Sequence, residues 1–399
     1  MTTITLDPST TFVAAVLTYF LGRLLTRSIP ALQKLRIPEA VTGGLVVASL
    51  VVLLRPLAAV ELRFSPSDLP MLTVFAAIGL HARFSDLRKG GRLLVAALAV
   101  AVVTLILQNV IGASLAGLMG LPPGLGLMAG SVALIGGHGT AAAWGPAFSQ
   151  VSPAATSIGL AAATFGLVAG GLVGAPLGKA LIERNRLTPT ETGDEPGMGD
   201  NQETRGGGIA VPDVFASLLV LSVAIVLGAQ VNATLKLLGL TLPLFLTTLF
   251  CGILIGNLGP LAAPKLNWPM HRPALVLIAD IALSLFLARA LMALDLTLLS
   301  QAALPLLVLL LVQVAAVMAI AWYVMFPALG RNYDAAISSS GFVGLALGAT
   351  PTALANMSSL THTYGPSAKS FVVMPLVGAF FIDLVNAFVI TAGLRLFVP

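Results

Sequence analysis

The run Ile135-Gly136-Gly137-His138-Gly139-Thr140-Ala141-Ala142-Ala143-Trp144 sets glycines, a histidine and a threonine far from any charged residue. A second run, Leu347-Gly348-Ala349-Thr350-Pro351-Thr352-Ala353-Leu354-Ala355-Asn356, repeats the theme late in the chain. Glycine lets a ligand come close to the backbone. Where such a run starts a helix, its unpaired N–H groups and the helix dipole favour an anion. Backbone carbonyls, threonine hydroxyls and an asparagine amide are hard oxygen ligands, the kind a small cation takes. The chemistry read here is capture of a carboxylate and a Na+ ion, not bond making. Gly137, His138, Gly139, Thr140, Gly348, Thr350 and Thr352 are the candidate anion ligands; Gly136, Thr140, Ala349, Thr350 and Asn356 are candidates for Na+. The competing reading is that the glycines only permit close helix packing.

Four more polar residues lie in apolar sequence. Asp383 sits in Phe380-Phe381-Ile382-Asp383-Leu384-Val385-Asn386. A carboxylate in mid-span costs at least about 2.5 kcal/mol and is a functional hypothesis by default. Asn386, three residues on, shares its helix face. The two join the substrate site, or they form a structural hydrogen-bonded pair. Gln108 and Gln313 hold similar places in two spans and serve Na+ or act as interhelical glue. His138 could titrate or bind metal, but no Cys or second His lies near it, which favours a hydrogen-bonding role. Asp280 and Arg289 stand nine residues apart, on opposite faces of one straight helix.

The elements holding these residues are set by composition. The chain has 399 residues, 57% hydrophobic and 9% charged, with mean hydropathy +0.98. Soluble domains carry about 25% charge. An all-α polytopic membrane protein is expected, with roughly ten spans of about 20 residues. The net charge of +5 comes from short basic clusters between apolar runs, a topology signal with no nucleic-acid stripe. The lone Cys251 excludes a disulfide framework and reads as a small buried residue. Asp7 stands where a signal peptide would be basic, so no cleaved leader is expected. There is no nucleotide-binding loop, and the spacing of Ser, His138 and Asp383 does not suggest a hydrolase. The protein is read as a transporter, not an enzyme, with no cofactor.

From Leu93 to Gly178 there is no Asp, Glu, Lys or Arg. Broken backbone in such a stretch is tolerated only where protein or a water-filled cavity satisfies it. The segment from Gly124 to Ser149 is therefore read as a re-entrant hairpin turning at Gly136 to Thr140, and residues 334–360 as a second. Paired broken segments in two halves point to a transporter binding site. Spans are placed at 11–25, 40–54, 69–81, 93–115, 154–181, 214–235, 242–261, 273–294, 298–326 and 371–397. Residues 1–182 form an N-terminal repeat and 214–399 a C-terminal one, joined by a flexible cytoplasmic linker over 183–213. With the N-terminus outside, sixteen of the 21 Lys and Arg fall in inside loops. That count requires the Gly136 segment to leave by the side it entered. Five crossings per half make the repeats inverted. The halves match at a nearly constant offset: Ile135-Gly136-x-x-x-Thr140-Ala141 with Leu347-Gly348-x-x-x-Thr352-Ala353, and Gly166 with Gly378.

These motifs resemble the bacterial sodium/glutamate symporter family. The resemblance is carried by Gly136-Gly137-His138-Gly139-Thr140 with Ala142-Ala143-Trp144, by Ala162-x-Thr164-Phe165-Gly166-Leu167-Val168 and by Asn332-Tyr333-Asp334-Ala335-Ala336. It continues through Gly348 to Ala353 with Ala355-Asn356-Met357, and Val377-Gly378-Ala379-Phe380-Phe381-Ile382-Asp383. It covers essentially the whole chain. It implies ten spans in two inverted repeats with re-entrant hairpins, a homodimer, and Na+-driven L-glutamate uptake by an elevator movement; the basic-residue count puts both termini on the periplasmic side of the expected bacterial inner membrane. A proton-coupled carrier of another small organic anion is the alternative. The chain departs from the family pattern at Phe342 and Val343, where His-Cys is usual, at Ile135, where Ser is usual, and at the charged Asp280 and Arg289.

Overall fold

Asp7 starts the first helix: its carboxylate accepts the N–H groups of Ser9 (2.9 Å) and Thr10 (3.1 Å), and Pro8 follows at the first helical position. The Thr10 hydroxyl and these N–H groups hold the Asp7 carboxyl below its ordinary pKa. The computed structural model describes residues 2–30, 32, 37–58, 60–65, 67–81, 84–189, 209–238, 242–262, 268, 273–294, 302–378 and 382–397. Most of the expected linker, the loop residues Lys34, Arg36, Arg83, Lys265 and Arg272, and residues 379–381 of the last motif lie outside these.

The elements in order are β1 (Thr2–Leu6), α1 (Pro8–Ser28), α2 (Glu39–Ala58), β2 (Val60–Phe64), α3 (Leu69–His81) and α4 (Phe84–Leu118). Then come α5 (Pro123–Leu127), α6 (Gly137–Trp144), α7 (Ala155–Asn185), α8 (Val211–Leu237), α9 (Leu244–Ala262) and α10 (Pro273–Met292). The chain closes with α11 (Ala303–Ile320), α12 (Tyr333–Leu347), α13 (Thr350–Tyr364), α14 (Ala368–Leu376) and α15 (Ile382–Phe397). Of the described residues, 85% are helical. Among the described residues, seven helices are long and apolar enough to cross a membrane, and shorter apolar helices occupy Glu39–Leu54 and Leu69–His81. This is a polytopic, mainly α-helical membrane architecture.

Among the described residues, helices occupy the segments read as spans one to nine, the ninth from Ala303 on. Four details differ from the sequence reading. The segment read as span ten is described as α14, a π turn at 377–378, and α15, with 379–381 outside the described residues. Gly91 takes a positive φ of 55°, so the helix that crosses begins there. The turn in the first broken segment lies at 133–136, earlier than read, because Gly130 (φ −99°, ψ −128°) already leaves helical geometry. A parallel pair, β1 with β2, was not foreseen; five-residue strands beside a hydrophobic span carry little periodicity of their own.

The chain divides into two compact units, Met1–Phe84 with Gly207–Ser300, and Ser85–Gly206 with Gln301–Pro399. Each takes part of both sequence halves. In the first unit, small residues let backbones touch. An ideal Cβ on Gly22 would fall 1.8 Å from the Glu39 carbonyl oxygen, and one on Gly79 2.3 Å from that of Leu249. Ala76, Ala77, Leu80, Leu221, Ala224 and Leu275 form its core, and Phe75 stacks against Phe245 at 4.6 Å. Arg289 donates to the Ser65 carbonyl (3.4 Å), while Asp280 is exposed on the same helix. Both departures thus belong to a unit that holds none of the candidate site residues. Gly22→Ala forces a methyl into backbone, so stability should fall by about 1–3 kcal/mol. Heating the variant in detergent and measuring the monodisperse fraction checks this; an unchanged midpoint refutes the contact.

Candidate functional site at the two broken segments

The second unit contains every candidate site residue. Its central element is α12, buried at each of its 15 positions. Beneath it runs α7, whose glycines recur every fourth residue: Gly166, Gly170, Gly174 and Gly178. That spacing keeps them on one helix face. A Cβ on Gly166 would fall 2.2 Å from the Leu347 carbonyl oxygen, and one on Gly174 2.0 Å from Asn356 Nδ2. Gly178 is closed by Leu360 (2.4 Å) and Ser340 (2.8 Å). The stripe beds both limbs of the second broken segment. The stripe is legible in the sequence as four glycines spaced by four.

The first segment leaves its helix at Gly130. The backbone groups freed there are taken by two side chains. Asn109 Oδ1 accepts the Ser131 N–H (3.1 Å), and Asn386 Nδ2 donates to the Ser131 carbonyl (3.1 Å). This is how a non-helical turn survives in an apolar interior. Asn386 is therefore engaged with the break and makes no hydrogen bond to Asp383. Gly137 has φ +67°, a left-handed conformation suited to glycine. Its missing Cβ would lie 3.5 Å from the Gly348 carbonyl oxygen, so the two tips meet. Around Gly139 an added Cβ would touch nothing within 4 Å among the described residues, which leaves space open at the junction.

Helix α6 starts at Gly137 with no side-chain cap, and α13 starts at Thr350, likewise uncapped, after an extended Ala349 (φ −163°, ψ 166°). His138 and Thr140 lie in the first turn of α6 and are buried; Thr350 is half-buried and Thr352 buried at the start of α13. Pro351 removes one donor from the second tip, while the Thr352 N–H reaches the Ala349 carbonyl (2.9 Å). Thr350 Oγ1 lies 2.6 Å from where a Cβ on Gly378 would be, so that glycine makes room for the hydroxyl. His138 Nε2 is 2.9 Å from Thr164 Oγ1, and that hydroxyl donates to the Leu160 carbonyl (2.9 Å). With its proton so committed, Thr164 accepts, and His138 carries its hydrogen on Nε2, leaving Nδ1 as an acceptor.

Gln108 donates to the Ala346 carbonyl (2.9 Å), and Gln313 donates to the Gln108 carbonyl (2.7 Å). Both are fully buried and tie α4 and α11 to the approach of the second tip. Asn356 donates to the carbonyls of Gly170 (3.0 Å) and Ser340 (3.5 Å). Asp383 is half-buried, without a hydrogen bond or ion pair among the described residues. Phe342, Val343 and Ile135 are all buried; the first two are core-filling residues of α12.

Six buried side-chain polar atoms lack a partner among the described residues. Five of them belong here: Gln108 Oε1, Asn109 Nδ2, Ser131 Oγ, Gln313 Oε1 and Asn386 Oδ1. Buried polar groups are nearly always satisfied, so such a concentration calls for a water or an ion. Three of the five are carbonyl oxygens and a fourth is a hydroxyl. No group of three His, Cys, Asp or Glu among the described residues could hold a metal, so a cation here would rest on neutral oxygens, as an alkali ion does. Asn109 and Ser131 are not marked out by the sequence, and Thr164 enters there only within a family motif, because polar residues in spans look alike until their neighbours are known.

The family model described as sodium/glutamate symporter matches residues 4–366. This chain belongs to the sodium/glutamate symporter family. The sodium/glutamate symporter of Escherichia coli (strain K12) is 41% identical over 404 aligned positions, covering 98% of both chains. That of Haemophilus influenzae (strain ATCC 51907 / DSM 11121 / KW20 / Rd) is 38% identical, covering 94% of both. Within this family member, two substitutions separate packing from binding. Gly174→Ala drives a methyl onto Asn356 and should cost about 1–3 kcal/mol of stability. Gly139→Ala should leave the melting midpoint unchanged while weakening ligand binding. Thermal unfolding beside ligand-induced stabilisation checks both; a destabilised Gly139→Ala that binds normally would refute the assignment.

Proposed function

We propose that this protein is a Na+-coupled symporter that imports L-glutamate across the bacterial inner membrane. The observation that carries the reading is the meeting of two uncapped helix starts, α6 and α13, at an open junction. The first N–H groups of α6, the Thr350 N–H of α13 and the two dipole ends attract a carboxylate. Gly137, His138, Gly139, Thr140, Gly348, Thr350 and Thr352 hold the substrate's carboxylates. Asp383, free of any partner among the described residues, receives its ammonium group. Asn386 is a positioning residue, since it holds the Gly130–Ser131 break. Na+ sits among the carbonyls of Gly136 and Ala349 and the oxygens of Thr140, Thr350, Asn356, Gln108 and Gln313. The unpartnered Oε1 atoms of the two glutamines support that part of the site.

Residues 1–182 and 214–399 are then inverted repeats of five spans, with re-entrant hairpins at about 124–149 and 334–360. The linker 183–213 is cytoplasmic, both termini are periplasmic, and the protein works as a homodimer. An elevator movement is favoured because both tips and all their supports belong to one compact unit. A carrier of that type moves its site as one body. Coupling requires Na+ and glutamate to favour the same state. One charge moved through 100 mV supplies about 2.3 kcal/mol. Glutamate carries net −1, so two or more Na+ ions must enter with it for the potential to help.

Vesicles reconstituted with the protein should accumulate glutamate when Na+ is added outside, and saturably so. Asp383→Ala should abolish that uptake while the protein still elutes as a folded species. Uptake indifferent to Na+ but driven by a pH gradient would replace this reading with proton coupling through Asp383 or His138. A panel of amino acids and dicarboxylates in the same assay defines the substrate. Retained Na+-driven uptake in the Asp383 variant would remove that residue from the site.

A further inference from the structure

At the far end of α7 lies a cleft of about 260 Å³ that the transport site does not use. Its walls include Arg184 and Asn185 from the end of α7, and Trp322, Tyr323, Phe326 and Arg331 from the end of the helix Ala303–Ala328 and the turn after it. Both helices are long and apolar enough to cross the membrane, and both end here. The cleft therefore stands where hydrocarbon gives way to headgroups. Trp and Tyr favour that level.

Four local features shape it. A π turn over Ala321–Met325 inserts an extra residue just where the two aromatics lie, and such turns concentrate at functional places. The Arg184 guanidinium sits 5.8 Å above the Trp322 ring. Arg331 holds φ +53°, and with Arg186 it makes the pair of non-glycine residues at positive φ among those described. Two carbonyls near the helix ends are already taken. The Leu187 N–H reaches Ile182 O (3.0 Å), and the Arg331 N–H reaches Phe326 O (3.1 Å). An incoming anion thus meets guanidinium groups with no bare carbonyl at those two positions. Among the described residues neither arginine pairs with a carboxylate. The nearest in sequence, Glu183, is engaged by Lys179 (3.8 Å) and the Tyr364 hydroxyl (2.8 Å).

We infer that this cleft binds the phosphate of an anionic phospholipid headgroup, with Arg184 and Arg331 as its ligands and Trp322 and Tyr323 at its lipid-side rim. A lipid source is favoured over free phosphate by the open side. Tyr323 is 75% exposed and adjoins the exposed Val324 on a membrane-length helix. Acyl chains can lie along that face while the headgroup enters. The inference needs only that the chain spans a membrane, not that it carries glutamate.

The test uses the full-length protein in nanodiscs of phosphatidylcholine doped with phosphatidylglycerol, followed by native mass spectrometry of the retained lipid. Wild-type protein should retain phosphatidylglycerol over phosphatidylcholine. Arg184→Gln with Arg331→Gln should weaken that preference on the order of 30-fold, from roughly fivefold per arginine near the surface. Tyr323→Glu, which keeps both arginines and sets a carboxylate at the rim, should weaken it too and serves if the double variant fails to fold. Equal retention by wild type and a folded variant overturns the site. Inorganic phosphate that binds the lipid-free protein and displaces phosphatidylglycerol at equal concentration overturns the lipid assignment in favour of a free anion.

Discussion

A peptide backbone broken inside an apolar interior must pass its N–H and C=O groups to a partner, and this requirement organises the second unit. At Gly130 the partners are amides from two distant helices, Asn109 and Asn386, which bracket Ser131 on its two sides. At Gly348 the break is held from beneath by the glycine face of α7 and from the side by Gln108, bonded to Ala346. Removing a buried partner of this kind leaves an unsatisfied group and costs its desolvation, typically 1–3 kcal/mol. The polar residues of the spans are therefore first of all supports for irregular backbone.

The same supports leave a residue of unused polarity. Four buried amides near the breaks, Gln108, Gln313, Asn109 and Asn386, spend one end on the backbone and keep the other unpaired among the described residues. On the function proposed above, what fixes the tips also presents the oxygens of Gln108, Gln313 and Asn386 to whatever enters between them. A small cation that completed these oxygens would stiffen both tips, and a carboxylate at the uncapped starts of α6 and α13 would then meet a finished site.

The departures from the family pattern fit this division of labour. Phe342 and Val343 fill the interior of a helix that is buried at every position, and Ile135 is buried in the turn before α6. They change packing behind the tips. Asp280 and Arg289 lie in the other compact unit, where Arg289 reaches the Ser65 carbonyl. None of the five adds or removes a group at the uncapped helix starts.

By itself the sequence determined the membrane class, the positions of the long apolar helices, the two glycine-bearing breaks and the family. These follow from local quantities: hydropathy over about 20 residues, glycine and proline in runs that would otherwise stay helical, and motifs written in continuous chain. Tertiary structure alone decided that Asn109 and Asn386 meet across Ser131, that Gly137 faces Gly348, and that His138 is answered by Thr164. It also decided that the compact units cut across the sequence halves. An asparagine in a span has the same local signature whether it faces a neighbour, a break or an ion. Its role is fixed by which backbone lies a hydrogen bond away, and that is a property of packing.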